Sequence, residues 1–395
     1  MAQNYIRFGY LDSKFAPTLN VGYEKPDKFT YYINHPPLLP ILVSLSFRIF
    51  GVHEWSARLV PILFSIGNLF IVFILIRRLW GKEVALLASF FFTLIPMDAY
   101  FGRMVCHEAP TTMFFSLLCL YFYLLYIEKE KKWHLAGIVI SFTLGTLTGW
   151  PVYYISLLIT LHYLIFFYPK RKKIILPLIL FSISITLFVI YIGYICFLGT
   201  IQNLIDAFMR RISFQDEGSS SFFTFYQFIK YENSIVIWRY FTPTLCVLSL
   251  IWIMNFSMRI KIISQKESFI ILLLLFGLIH ILLFPNGAWV HDYWSFYLTP
   301  FIILSATLGL KIIQEKIKKY IFIIPLFGII FICFTSQSIS QIKALHQYNN
   351  STGYTLGIQL KQMSNKKDKI ITSFFPFLPR VGPAFFLYLD RDVYP

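Results

Sequence analysis

Short polar stretches stand out against an otherwise apolar chain, and each carries groups able to do chemistry. The first is Asn34-His35-Pro36-Pro37. A proline pair suits the first turn of a helix, where missing N–H donors cost little. Asn34 and His35 then stand at a helix mouth, which attracts phosphate or carboxylate groups. The second runs from Gly102 to Pro110 and holds Arg103, Cys106, His107 and Glu108. Arg103 can grip a phosphate with two parallel hydrogen bonds. Glu108, beside His107, can act as a general base on an acceptor hydroxyl or hold a divalent metal. An acidic residue at a helix start is also ordinary dipole chemistry. The third is Val290-His291-Asp292-Tyr293-Trp294. Its aromatics suit a membrane-interface belt, while His291, Asp292 and the Tyr293 hydroxyl suit a substrate or its phosphate. The fourth, Thr148-Gly149-Trp150-Pro151, reads as a tight turn between two helices.

The elements that must position these groups follow from composition. The 395 residues are 57% hydrophobic and 14% charged, with a mean hydropathy of +0.65. A soluble domain carries about 25% charged residues. The chain is therefore an integral membrane protein, not a soluble enzyme, a disordered chain or a coiled coil. Ten apolar runs reach the length of a membrane helix, near 57–78, 84–100, 109–127, 133–149, 151–168, 174–197, 236–256, 268–285, 294–312 and 319–336. Residues 36–52 are too short to span and read as an interfacial helix.

The formal charge of +16 is a topology signal rather than a nucleic-acid signature. Five alternate loops hold seventeen Lys and Arg, and the other four hold only Arg103, Arg210, Arg211 and Lys230. The basic set belongs inside, so every polar stretch above falls on the outer side. There the segment 198–235, with Asp216, Glu217, Gly218 and a serine run, reads as a flap over a substrate entrance. Residues 368–375 and 385–389 read as strands of a small outer domain. Asp390-Arg391-Asp392 is too short a pattern to count as a metal motif. The five cysteines show no paired spacing. No Walker A or HExxH sequence occurs, which argues against nucleotide-driven and zincin chemistry. The spans carry few polar groups, chiefly His162, Asn255 and His280, which weakens a glycolipid transporter or flippase as the alternative.

Taken in order, Asn34-His35-Pro36-Pro37-Leu38, Phe50-Gly51, Ser56-Ala57-Arg58-Leu59-Val60-Pro61, Arg77-Arg78-Leu79-Trp80-Gly81 and Pro96 through Arg103 to Glu108 resemble the GT-C class of polyprenyl-phosphate-sugar glycosyltransferases. The resemblance spans roughly residues 1–312. The nearest branch holds the protein O-mannosyltransferases, the lipid A aminoarabinose transferases and the Rgt-type lipopolysaccharide transferases. It implies an all-α bundle and a sugar donor on undecaprenyl or dolichyl phosphate. The acceptor would be lipid A or lipopolysaccharide, another glycan, or protein, at the extracytoplasmic face. It implies direct displacement at the anomeric carbon, with no certain cofactor and a divalent metal as an option.

By the same resemblance His35, Arg103 and Tyr293 face the donor phosphate, and Glu108 is the second acidic residue. Asn34, His107, His291 and Asp292 are substrate-binding candidates. Relatives carry a first helix and an acidic pair ahead of the stretch that begins here at Ala2. The primary base is therefore expected upstream of Met1, and an inactive, scaffold-like copy is the other reading. The expected organisation is an outer-face segment at 1–55, a transmembrane domain at 56–336 and an outer tail at 337–395. The Ile-, Lys- and Phe-rich composition suggests a bacterial inner membrane.

Overall fold

The computed structural model describes residues 1–20, 25–105, 107–214, 222–259, 263–317, 320–347, 352–365, 368–371 and 392–394. Cys106, Asp216 through Ser221, residues 372–375 and 385–389, and Asp390-Arg391 lie outside them. Helices α1 (Ala2–Phe8) and α2 (Leu38–Phe50) form the N-terminal segment. Then come α3 (Glu54–Trp80), α4 (Lys82–Leu94), α5 (Pro96–Phe101), α6 (Ala109–Lys129), α7 (Lys132–Thr146), α8 (Val152–Phe166), α9 (Tyr168–Arg171) and α10 (Ile175–Phe197). The second half holds α11 (Ile201–Arg211), α12 (Phe225–Ser234), a π-helical stretch (Ile235–Tyr240), α13 (Pro243–Ser257), α14 (Gln265–Leu283) and α15 (Pro285–Val290). A 3-10 stretch (Asp292–Leu298), α16 (Thr299–Lys316), α17 (Tyr320–Gln347) and α18 (Thr352–Met363) complete it. Lys369–Ile371 and Asp392–Tyr394 pair as two short parallel strands.

All ten apolar runs are helical, and six helices among the described residues are long and apolar enough to cross a membrane alone. Several runs differ from the expected single spans. The run at 84–100 breaks between α4 and α5, because Pro96 lacks an N–H and disfavours helix at the residue before it. Ile95 accordingly takes extended angles. The run at 236–256 begins as π-helix and then turns through 117° into α13. Thr242 makes that corner at φ 69°, and its hydroxyl caps the N–H of Leu245. The last run does not stop near 336. It continues in α17 to Gln347, through the boundary expected at 336/337.

Helix α6 is the central element and is mostly buried, whereas α10 and α17 stay largely exposed along their length. Membrane helices associate through close backbone approach rather than a hydrophobic drive. Gly309 shows this between α16 and α13: a Cβ there would lie 1.9 Å from the Leu248 carbonyl oxygen. His162, expected to face apolar surroundings, instead bolts three helices together. Its ring nitrogens bond Tyr123 Oη of α6 at 2.6 Å and Ser268 Oγ of α14 at 2.7 Å.

The two ends of the bundle differ. At one, Arg78 pairs with Glu128, and Arg171 and Lys173 pair with Glu130. These residues flank the basic loops. At the other end the polar stretches gather. Trp150 Nε1 donates to the Asn34 carbonyl at 2.8 Å, and the Leu38 N–H donates to the Leu147 carbonyl at 3.0 Å. Tyr10 Oη bonds Ser44 Oγ of α2 at 2.7 Å, and Tyr194 Oη donates to the Lys14 carbonyl at 2.6 Å. The N-terminal segment is thus packed onto the ends of the membrane helices.

Candidate active site

Glu108 stands immediately before α6 and is only 4% exposed. Pro110 opens that helix, and the α7–α8 turn is pressed against its first turn. A Cβ on Gly149 would lie 2.6 Å from Thr112 Oγ1 and 3.1 Å from Glu108 Cγ. Thr112 and Thr148 hydroxyls bond each other at 3.0 Å. The absent side chain at 149 therefore makes the space that Glu108 occupies.

His35 meets Glu108 from the N-terminal segment. Its Nδ1 lies 3.3 Å from Glu108 Oε1 and makes no hydrogen bond of good geometry. Burial pushes the Glu108 carboxyl up to about 7, against the lowering effects of its own backbone N–H and of Arg211. Burial, helped by Arg211, pushes the His35 imidazole down to about 3. The contact is therefore not an ion pair at neutral pH. It joins an imidazole held neutral to a carboxyl held well above the usual carboxylate range, because both groups are denied water.

The third stretch closes over this pair. The His107 and Tyr293 rings lie tilted against each other with centroids 3.7 Å apart, and the His291 ring lies 5.4 Å from that of Tyr293. Burial, then the nearby imidazoles His291 and His35, takes His107 down to about 3; burial, then Arg211, takes His291 down to about 4. Tyr293 lies within electrostatic reach of Glu108, Tyr32 and Arg211. Among the described residues, four buried polar atoms of this cluster have no hydrogen-bond partner: His35 Nδ1, His107 Nδ1, Trp294 Nε1 and Tyr297 Oη. Folded proteins leave few such atoms unpaired, and a ligand is one physical reason for leaving several together.

Some members escaped the sequence reading. Arg211, assigned there only to a flap, ends α11 with its guanidinium 5.3 Å above the Trp294 ring. Its charge acts on His35, Glu108 and His291. The available signal was its rarity, as one of four cations in the outer loops. His280, a candidate midplane group, lies against Trp294 at 4.1 Å between centroids and bonds Tyr154 Oη at 3.2 Å.

Three expected members are not brought to the cluster. Arg103 turns away, with Nη2 3.1 Å from His346 Nε2 of α17. Asp292 is engaged by Arg239 Nη1 at 3.1 Å and by the Tyr240 hydroxyl, so it ties the 3-10 stretch to the π-helical one. Asn34 contributes its backbone carbonyl to Trp150. Among the described residues no three His, Cys, Asp or Glu side chains converge as a metal site would need.

A carboxyl, a guanidinium and several imidazoles thus gather at the end of a polytopic helical bundle, and comparison with known proteins specifies the fold. Residues 34–195 match the family model described as dolichyl-phosphate-mannose-protein mannosyltransferase, PMT_2. The fold is that of the GT-C membrane glycosyltransferases. ArnT of Cupriavidus metallidurans superposes with a TM-score of 0.59 at 12% identity, over 92% of this chain and 75% of that one. The oligosaccharyltransferase of Archaeoglobus fulgidus does so at 0.58 and 13%, over 93% of this chain and 56% of that one. A protein of Aquifex aeolicus is 32% identical over 120 residues, which are 30% of this chain and 24% of that protein. YkcB of Bacillus subtilis, provisionally described as a mannosyltransferase, is 31% identical over 106 residues, 27% of this chain and 15% of YkcB. The chain thus spans about a quarter or less of the length of these curated relatives. The PMT_2 match covers residues 34–195, and the fold around them is that of the GT-C enzymes.

Proposed function

We propose that the chain is a glycosyltransferase that moves a sugar from a polyprenyl-phosphate donor to an acceptor at the extracytoplasmic face of a bacterial inner membrane. The observation that carries this reading is the buried Glu108 carboxyl with His35, Tyr293 and Arg211 around it. The acceptor hydroxyl attacks the anomeric carbon while Glu108, which the resemblance gave as the second acidic residue and which we assign here as the base, takes its proton. The bond from that carbon to the phosphate oxygen breaks, and the lipid phosphate departs with the electron pair. A general base held near the working pH is worth about 10²–10⁴ in rate. Arg211 supplies the charge that stabilises the departing phosphate, and neutral His35 and the Tyr293 hydroxyl supply hydrogen bonds. Arg211 takes the place that the family resemblance gave to Arg103.

The related folds support the lipid-phosphate part of this reading. ArnT has been solved with undecaprenyl phosphate, and the Archaeoglobus enzyme with a dolichol-phosphate and an inhibitory peptide. Lipid A, another glycan or protein fits as the acceptor class. The test is consumption of a radiolabelled polyprenyl-phosphate sugar by membranes holding the chain. Release of polyprenyl phosphate by the wild type and not by Glu108→Gln supports the reading. Equal release by both overturns it.

A further inference from the structure

Away from the Glu108 cluster, α17 carries a second feature. An open groove of about 680 Å³ runs along it, lined by Ile332, Thr335, Ser336, Ile339, Ser340 and Lys343 among others. Spacings of three and four place these residues on one helix face. Ile332 is 70% exposed, and Ser336, Ser340 and Lys343 are exposed as well. Since α17 is long and apolar enough to cross a membrane and stays largely exposed, a bilayer would meet this face. The groove reaches from Phe331 to Lys343. At about 1.5 Å per residue that is roughly 18 Å, close to half of a hydrocarbon core about 30 Å thick. It is the length of one leaflet.

The outer end of the groove is cationic. His346 follows Lys343 by one turn on the same face, and Arg103 Nη2 reaches it at 3.1 Å. Arg58 lies near enough that, after burial, it is the next cause holding Arg103 below its ordinary value. Arg103 Nε is buried with no hydrogen-bond partner among the described residues. Glu54 is the carboxylate at hand, and it already pairs with Arg58. Among the described residues, two guanidiniums thus share the Glu54 carboxylate, an arrangement that like-charge repulsion disfavours until an anion joins it, and Lys343 lines the groove one turn before His346.

We propose that this groove holds an anionic phospholipid of the bilayer, its phosphate at the end marked by Arg103, Arg58 and Lys343 and one chain lying along α17 toward Phe331. The site is separate from the Arg211 side of the Glu108 cluster. It stands whether or not the chain transfers sugar.

Native mass spectrometry of the full chain in detergent, loaded with phosphatidylglycerol or phosphatidylcholine, tests this. The wild type should retain phosphatidylglycerol in preference. Lys343→Ala and Arg103→Gln should each weaken retention on the order of fivefold, the effect of removing one interfacial cation. Lys343→Arg should keep it. Ser336→Trp, at an exposed position that cannot upset the core, should expel the lipid by filling the groove. Equal retention of the two lipids overturns the proposal. So does unchanged retention in Lys343→Ala and Ser336→Trp, or displacement by millimolar inorganic phosphate, which would mean an anion site without a lipid groove.

Discussion

Glu108 Oε1 and His35 Nδ1 lie 3.3 Å apart, yet burial holds the imidazole neutral and raises the carboxyl to about 7. A carboxyl in this state can accept a proton at neutral pH, and a neutral imidazole can donate a hydrogen bond without being a counter-ion. The pair comes from segments more than seventy residues apart. It meets because Trp150 holds the Asn34 carbonyl and Gly149 makes room for the Glu108 side chain.

Gly149→Ala should therefore damage chemistry more than folding. The new methyl group would meet Thr112 Oγ1 at 2.6 Å and Glu108 Cγ at 3.1 Å, so the carboxyl must shift. A displacement of about 1 Å can cost on the order of 10²-fold in rate. Transfer kinetics should show kcat reduced by that order, with the thermal midpoint moved by a few degrees at most.

Arg211 and Arg103 should separate in donor binding. Removing the Arg211 guanidinium takes away the charge that acts on Glu108 and His35, and Arg211→Ala should raise the donor KM about tenfold or more. Arg103→Ala should raise it far less, because its guanidinium faces His346. Donor titrations of the two variants decide between them.

His162 should matter for stability and not for chemistry. It joins Tyr123 and Ser268 across three helices. Bonds of this kind in membrane bundles are each worth about 0.6 kcal/mol, up to about 1.7. His162→Phe should destabilise the bundle by roughly 1–3 kcal/mol, since it also strands two hydroxyls. Detergent unfolding curves should shift while donor KM stays the same.

Much of the fold was legible because a span must be apolar for its whole length, and hydropathy reads that directly. What hydropathy cannot read is where a helix bends. Pro96 and Pro243 carried that signal, but the 117° turn also needed Thr242 to adopt a positive φ. The far end of α17 was hidden because Thr335, Ser336, Gln337, Ser338 and Ser340 lower its apolar character without stopping the helix.

The site was half legible. Glu108, His35, His107, His291 and Tyr293 are polar groups beside apolar helices, which singles them out in the sequence, and the fold brings them together. Arg211 and Asp292 were not readable in the same way. Each is defined by partners distant in sequence: Trp294 and His35 for Arg211, and Arg239 and Tyr240, more than fifty residues upstream, for Asp292.

The most direct test of Glu108 as the base is the pH dependence of kcat/KM for transfer. A base must be ionised to act, so activity should rise with pH through an apparent pKa near 7 and level off above it. Glu108→Gln should lose about 10²-fold or more at the plateau and with it the acid limb. An acid limb that persists unchanged in Glu108→Gln, or transfer at the wild-type rate, would contradict the account.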